Sequence, residues 1–152
     1  MILGEKVTET SSSYRTQMYA GGLRAFWDAP LLGHGWKNQV TSALPYMSEE
    51  ARAGYAVEGW SYIHNEPLGF ALSAGVLGIV AYVCIMVAPL MAWRLRRFDA
   101  GTIRLYLALV LVVGFFVAGM TDVLFMTELP KTILAFGTGA IAVLGSSRKT
   151  TS

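Results

Sequence analysis

The sequence predicts an all-α integral membrane protein, with three transmembrane helices preceded by a segment of short helices about 65 residues long. Apolar residues make up 54% of the chain and charged ones only 14%, where soluble proteins carry about a quarter. The charge is also segregated. Residues 1–66 hold five Lys or Arg and seven Asp or Glu, whereas Pro67–Trp93 runs for 27 residues with none. A core helix of a soluble protein keeps a wet face and shows a polar residue every third or fourth position. This stretch has no such face.

Taken in order, residues 1–13 are polar and Ser/Thr-rich, with little apolar periodicity. A helical pattern covers Tyr14–Ala29: Met18, Leu23 and Phe26, with Tyr14 and Trp27, approximate one face, and Arg15 and Arg24 fall elsewhere. Pro30 ends that helix, and Leu31–Trp36 reads as a glycine-dependent turn. Pro45 interrupts the mixed region that follows, and Ser48 with Glu49 and Glu50 is an N-cap signal for a short helix to about Val57. Gly59–Glu66, with Trp60 and Tyr62, suits the aromatic belt at a membrane surface.

The first span is expected at 67–93, with Gly69, Gly75 and Gly78 flattening one side and Pro89 kinking the far end. The second is expected at 104–121, of which Leu105–Thr121 is uncharged for 17 residues, near the lower limit for crossing. A third, short and Gly-rich, is expected at 131–146. Arg94, Arg96, Arg97 and Arg104 cluster between the first two spans, and Arg148 and Lys149 follow the third. The positive-inside rule therefore places the 94–103 loop and the 147–152 tail in the cytoplasm. Residues 1–66 and the 122–130 loop then face the outer side of an inner-membrane-type bilayer.

A net charge of +2 without a basic-aromatic stripe gives no reason to expect a nucleic-acid partner. Cys84 is the single cysteine and lies in an apolar run, so no disulfide, metal or cofactor site is expected. The N-terminus lacks the charged and apolar regions of a signal peptide, so the polar N-terminal segment is expected to reach the outer face without a visible leader.

Candidate chemistry lies in the outer segment. His64 is a candidate base, because imidazole titrates near neutral pH. Arg15 and Arg24 are candidate ligands for phosphate or pyrophosphate, which a permanently charged guanidinium binds through two oxygens at once. Asn65 adjoins His64. Each has a plainer reading. Isolated arginines usually lie solvated or against headgroups, a lone interfacial histidine is usually structural, and Pro30, Gly33 and Gly35 build a turn whose His34 serves the backbone. Glu66 and Asp122 at span boundaries read as headgroup-solvated.

The order of these features is more specific than any one of them. Arg15, then Trp27-Asp28-Ala29-Pro30-Leu31-Leu32-Gly33-His34-Gly35, then His64-Asn65-Glu66-Pro67, then Gly75-Val76-Leu77-Gly78, resembles the O-antigen ligase and polymerase superfamily. In that superfamily a periplasmic helix opens on Arg and ends in a Pro-Leu-x-Gly-x-Gly turn, a His-Asn pair follows at the membrane surface, and the next helix opens with Gly-x-x-Gly. The resemblance implies metal-independent, inverting glycosyl transfer from undecaprenyl pyrophosphate to a sugar hydroxyl of lipid A–core. By the same resemblance His64 takes the acceptor proton, Arg15 holds the pyrophosphate, Asn65 orients His64 or a sugar, and Arg24 is a second phosphate contact.

Family members have about a dozen spans, so this chain is expected to be the C-terminal part of such an enzyme and incomplete on its own, its N-terminal helices being absent or on another chain. A polymerase or a protein oligosaccharyltransferase of the same superfamily is the alternative within the class. A non-catalytic membrane subunit is the alternative outside it. Convergence of Arg15 and His64 on one groove separates the two classes.

Overall fold

The computed structural model describes residues 3–58, 62–95 and 101–144. Trp60 of the expected aromatic approach, and Arg96, Arg97, Arg148 and Lys149 of the basic clusters, lie outside the described residues. Every regular element among the described residues is helical: α1 (Leu3–Asp28), α2 (Gln39–Ala43), a 3-10 turn (Leu44–Tyr46), α3 (Glu49–Glu58), α4 (Glu66–Leu95), α5 (Gly101–Gly119) and α6 (Glu128–Val143). The chain divides into two compact units, one of Met1–Tyr82 with Gly119–Val123, the other of Val83–Ala118 with Leu124–Ser152.

In the first unit, Met18 and Ala25 of α1 pack with Val40, Ala43, Met47, Ala51, Ile63, Leu68 and Leu72 in a single apolar core. Small residues set the spacing: a Cβ on Gly21 would lie 2.9 Å from the Ala43 carbonyl oxygen, so α1 and α2 touch backbone to backbone. The buried Gln39 crosses this core, donating from Nε2 to Ser73 Oγ at 2.8 Å and accepting from the Ile63 amide at 3.4 Å. Ser48 caps α3 through Oγ, which accepts from the Ala51 amide, as its position before two glutamates predicts. α1 reaches back to Leu3, through the stretch whose lack of periodicity did not suggest a helix.

α4 is one apolar run in sequence but two helical arms in the structure. Ala74 and Gly75 have non-helical backbone angles, Gly75 at φ 63° and ψ −143°, whereas the chain stays helical through the expected kink at Pro89. The break is filled by the turn after α1. The amides of His34 and Gly35 donate to the Leu72 and Ser73 carbonyls at 2.7 and 2.9 Å, and Val76 donates to the Pro30 carbonyl at 2.8 Å. Backbone groups released by opening the helix are thereby paired again, which a membrane-level break requires. The arms fold toward each other: the Phe70 and Tyr82 rings lie 5.4 Å apart, where twelve residues of straight helix would separate their Cα atoms by about 18 Å. Gly78 admits the Phe70 carbonyl where a Cβ would stand.

Two described helices are long and apolar enough to cross a membrane, Glu66–Arg94 and Thr102–Gly119, with mean hydropathies of 2.4 and 2.1. Large apolar side chains such as Val80, Val83, Val110, Val113 and Val117 are exposed along them, as lipid-facing residues are. α6, in the region of the third expected span, has 16 residues, about 24 Å at the helical rise.

In the second unit Arg104, which the sequence reads as one of the basic cluster at the cytoplasmic start of the second span, is fully buried. Its Nε donates to the Ile141 carbonyl at 2.7 Å and its Nη2 to the Ala92 carbonyl at 2.8 Å. Both acceptors lie in the last turn of their helices, where carbonyls lack intrahelical donors and the dipole is negative. One guanidinium therefore closes the ends of α4 and α6 together. Arg104→Leu is expected to lower stability by about 1–3 kcal/mol, the cost of stranding buried acceptors, with Arg104→Lys in between. Thermal unfolding in detergent checks this, and an unchanged midpoint for the leucine variant refutes it.

Candidate functional site

His64 and Asn65 occupy the short link between α3 and α4, and Asn65 explains why that link is well defined. Its Oδ1 accepts from the Leu68 amide at 3.0 Å, the N-cap bond of α4, while its Nδ2 donates to the Met120 carbonyl at 3.2 Å. One side chain thus starts a helix and ties the segment before it to the segment after α5. Tyr19 fixes the other side, donating its hydroxyl to the His64 carbonyl at 2.6 Å.

These ties bring His64 Nδ1 to 3.4 Å from Asp122 Oδ1. Asp122 Oδ1 also accepts from the Val123 amide at 2.8 Å. That amide bond holds the Asp122 carboxyl below the usual aspartate value; burial opposes it, and the hydrogen bond and charge of His64 and the charge of Arg15 add smaller lowering effects. The carboxylate is therefore ionised at neutral pH. Arg15 stands one turn before Tyr19 on α1. Burial pushes the Tyr19 hydroxyl above its ordinary value, and the Arg15 charge works against that rise. Arg15 and His64, 49 residues apart in sequence, thus act on the same carboxylate.

Arg24 is placed elsewhere. Nine residues beyond Arg15 at 100° each put it on the opposite side of α1, where it faces Tyr46 and Asp28. Tyr46 donates its hydroxyl to Asp28 Oδ2, and that bond, with burial and the Asp28 charge, raises the tyrosine value while Arg24 lowers it. Pro30, Gly33 and Gly35 form the turn in the α4 break, with both glycines at positive φ. His34 is half-buried, its Nε2 2.8 Å from the Ala25 carbonyl near the end of α1.

Asp122 is the residue that sequence reasoning passed over. The available signal was topological: two spans that return the chain to the face it left also return Asp122 to the level of His64. Beside this cluster an apolar groove of about 350 Å³ opens, lined by Tyr19, Leu23, Leu68, Ala71, Ile79 and Tyr82, with Asn65 as its polar end. Among the described residues no group of three or more His, Cys, Asp or Glu is placed to hold a metal ion.

The site combines a histidine oriented by a carboxylate, an exposed arginine and an adjoining apolar channel. A base aligned by an acid can accept a proton, and a guanidinium beside it can stabilise an anionic leaving group. Comparison with known proteins bears on which reaction family uses this arrangement. The sequence model of the family described as O-antigen ligase matches residues 2–83, from the start of α1 through the α4 break and the groove. No curated protein and no solved structure matches the chain. With more than half of its length matched, and with Arg15, the Pro30–Gly35 turn and His64–Asn65 all inside the matched region, the chain belongs to the O-antigen ligase family.

Proposed function

We propose that this site transfers a glycan from undecaprenyl pyrophosphate to a hydroxyl of lipid A–core on the periplasmic side of the inner membrane. The observation that supports the reading most is His64 paired with Asp122, a carboxylate that also feels the charge of Arg15. With its Nδ1 proton donated to Asp122, His64 presents Nε2 as the basic nitrogen. The acceptor hydroxyl attacks the anomeric carbon, its proton passes to Nε2, and the bond from that carbon to the pyrophosphate oxygen breaks. The electron pair leaves with undecaprenyl pyrophosphate, whose growing charge Arg15 stabilises. Attack opposite the leaving group inverts the anomeric centre. The groove beside Asn65 takes the first isoprene units and sets the pyrophosphate at Arg15. Asn65 positions His64 and Asp122 through its two backbone bonds, and Arg24, on the opposite side of α1, takes no part in this step.

Native membranes supplied with radiolabelled lipid-linked glycan and lipid A–core test this. Label is expected on lipid A–core; label found only in longer lipid-linked glycans would replace the ligase reading by a polymerase. Asp122→Asn is expected to slow transfer less than loss of His64 does and to shift its pH profile, because the amide no longer selects the Nδ1–H tautomer. An unchanged rate and profile in that variant would remove Asp122 from the mechanism.

A further inference from the structure

The turn that fills the α4 break presents an apolar tip that the proposed reaction does not use. Trp27, Leu31 and Leu32 are 75%, 70% and 74% exposed, and Trp36, packed edge-on against Phe70, is 45% exposed. An exposed loop of a water-facing segment would carry polar residues at such positions. The tip is also held in one place. A Cβ on Gly33 would stand within 2.6 Å of backbone atoms of Leu72, Ala74 and Gly75, and three backbone hydrogen bonds join residues 30–35 to Leu72, Ser73 and Val76.

Those bonds set its depth. Val76 begins the unbroken membrane arm of α4, residues 76–94, about 28 Å at the helical rise and close to the thickness of a hydrocarbon layer. Pro30 bonds the first amide of that arm, so Leu31 and Leu32 lie level with the outer edge of the hydrocarbon. Arg24, Asp28 and Lys37 are exposed around the tip and suit the headgroup layer above. Val76, bonded to Pro30 at the base of the turn, and Leu77 are exposed as well.

We infer that Trp27, Leu31, Leu32 and Trp36 form an interfacial anchor that dips into the outer leaflet and fixes α1 against the bilayer surface. Tryptophan at the headgroup boundary with leucines below it matches the composition of such anchors. The anchor is independent of the enzymatic reading.

A nitroxide label at Leu32→Cys tests it, in the full chain reconstituted in vesicles with Cys84→Ser as background, a label at Glu50→Cys as the water-exposed reference and Trp27→Cys as a second tip position. Molecular oxygen should relax the tip labels strongly and the water-soluble nickel chelate weakly. The oxygen-to-nickel ratio should exceed that at Glu50 by about tenfold, because hydrocarbon excludes the polar reagent. A ratio equal to that at Glu50 would place the tip in water, and protection from both reagents would place it against protein; either overturns the proposal.

Discussion

Replacing His64 with alanine is expected to reduce glycan transfer by roughly 10²–10⁴-fold, the usual contribution of a positioned general base, while the protein remains folded. The fold survives because the structural duties at this point belong to the backbone and to neighbours. Tyr19 bonds the His64 carbonyl rather than the ring, and Asn65 supplies the helix cap. Arg15→Ala is expected to lose activity on a similar scale, since the residue lies exposed on α1 and makes its contribution through charge. Arg15→Lys should recover part of that loss: it restores the charge but not the planar fork that binds two oxygens. If the two groups act in one step, the double variant is little worse than either single one. Initial rates with labelled donor check all three, and rates within a few-fold of wild type for both alanine variants would end the mechanism.

The largest expected stability effect lies in the α4 break. Gly75→Ala demands a left-handed φ with an extended ψ, a region that costs a side chain of order 1–3 kcal/mol. Its Cβ would also stand 2.5 Å from the Pro30 carbonyl oxygen and the Leu31 carbonyl carbon. Relieving that contact pushes the turn away and gives up some of the three backbone bonds that close the break, each worth about 0.5–1.5 kcal/mol net. The sum is a loss of about 3–5 kcal/mol. Gly33→Ala, facing the same backbone from the other side at φ 66°, should behave alike. Gly139 is the control, because nothing lies within 4 Å of its would-be Cβ and it sits inside α6. There alanine should be neutral or stabilise by up to about 1 kcal/mol. Melting midpoints in detergent that fall equally for Gly75→Ala and Gly139→Ala would refute the assignment.

The two effects are linked through α1. The middle of that helix ties Tyr19 to the His64 carbonyl, and its C-terminal end delivers the Pro30–Gly35 turn into α4. A defect in the break should therefore also reach the site by displacing the helix that holds Arg15.

Much of this protein could be read from its sequence, and the boundary is physical. Hydrophobic runs long enough for a bilayer, the Ser48 cap, the proline that ends α1 and the glycine-dependent turn are local properties, expressed by residues close together in the chain. Family membership was legible for the same reason, since it rests on the order of short motifs. Tertiary structure decided the rest. Proline chemistry pointed to the far end of the helix at Pro89, but the backbone opens at Gly75, where a turn some forty residues earlier pairs the released groups. Arg104 read only as one member of a basic cluster, but two helix ends meet its guanidinium. Asp122 looked solvated until the chain brought it, 58 residues on, to His64. No pattern within one helix encodes which distant group will share a charge, and in this protein the candidate chemistry depends on that pairing.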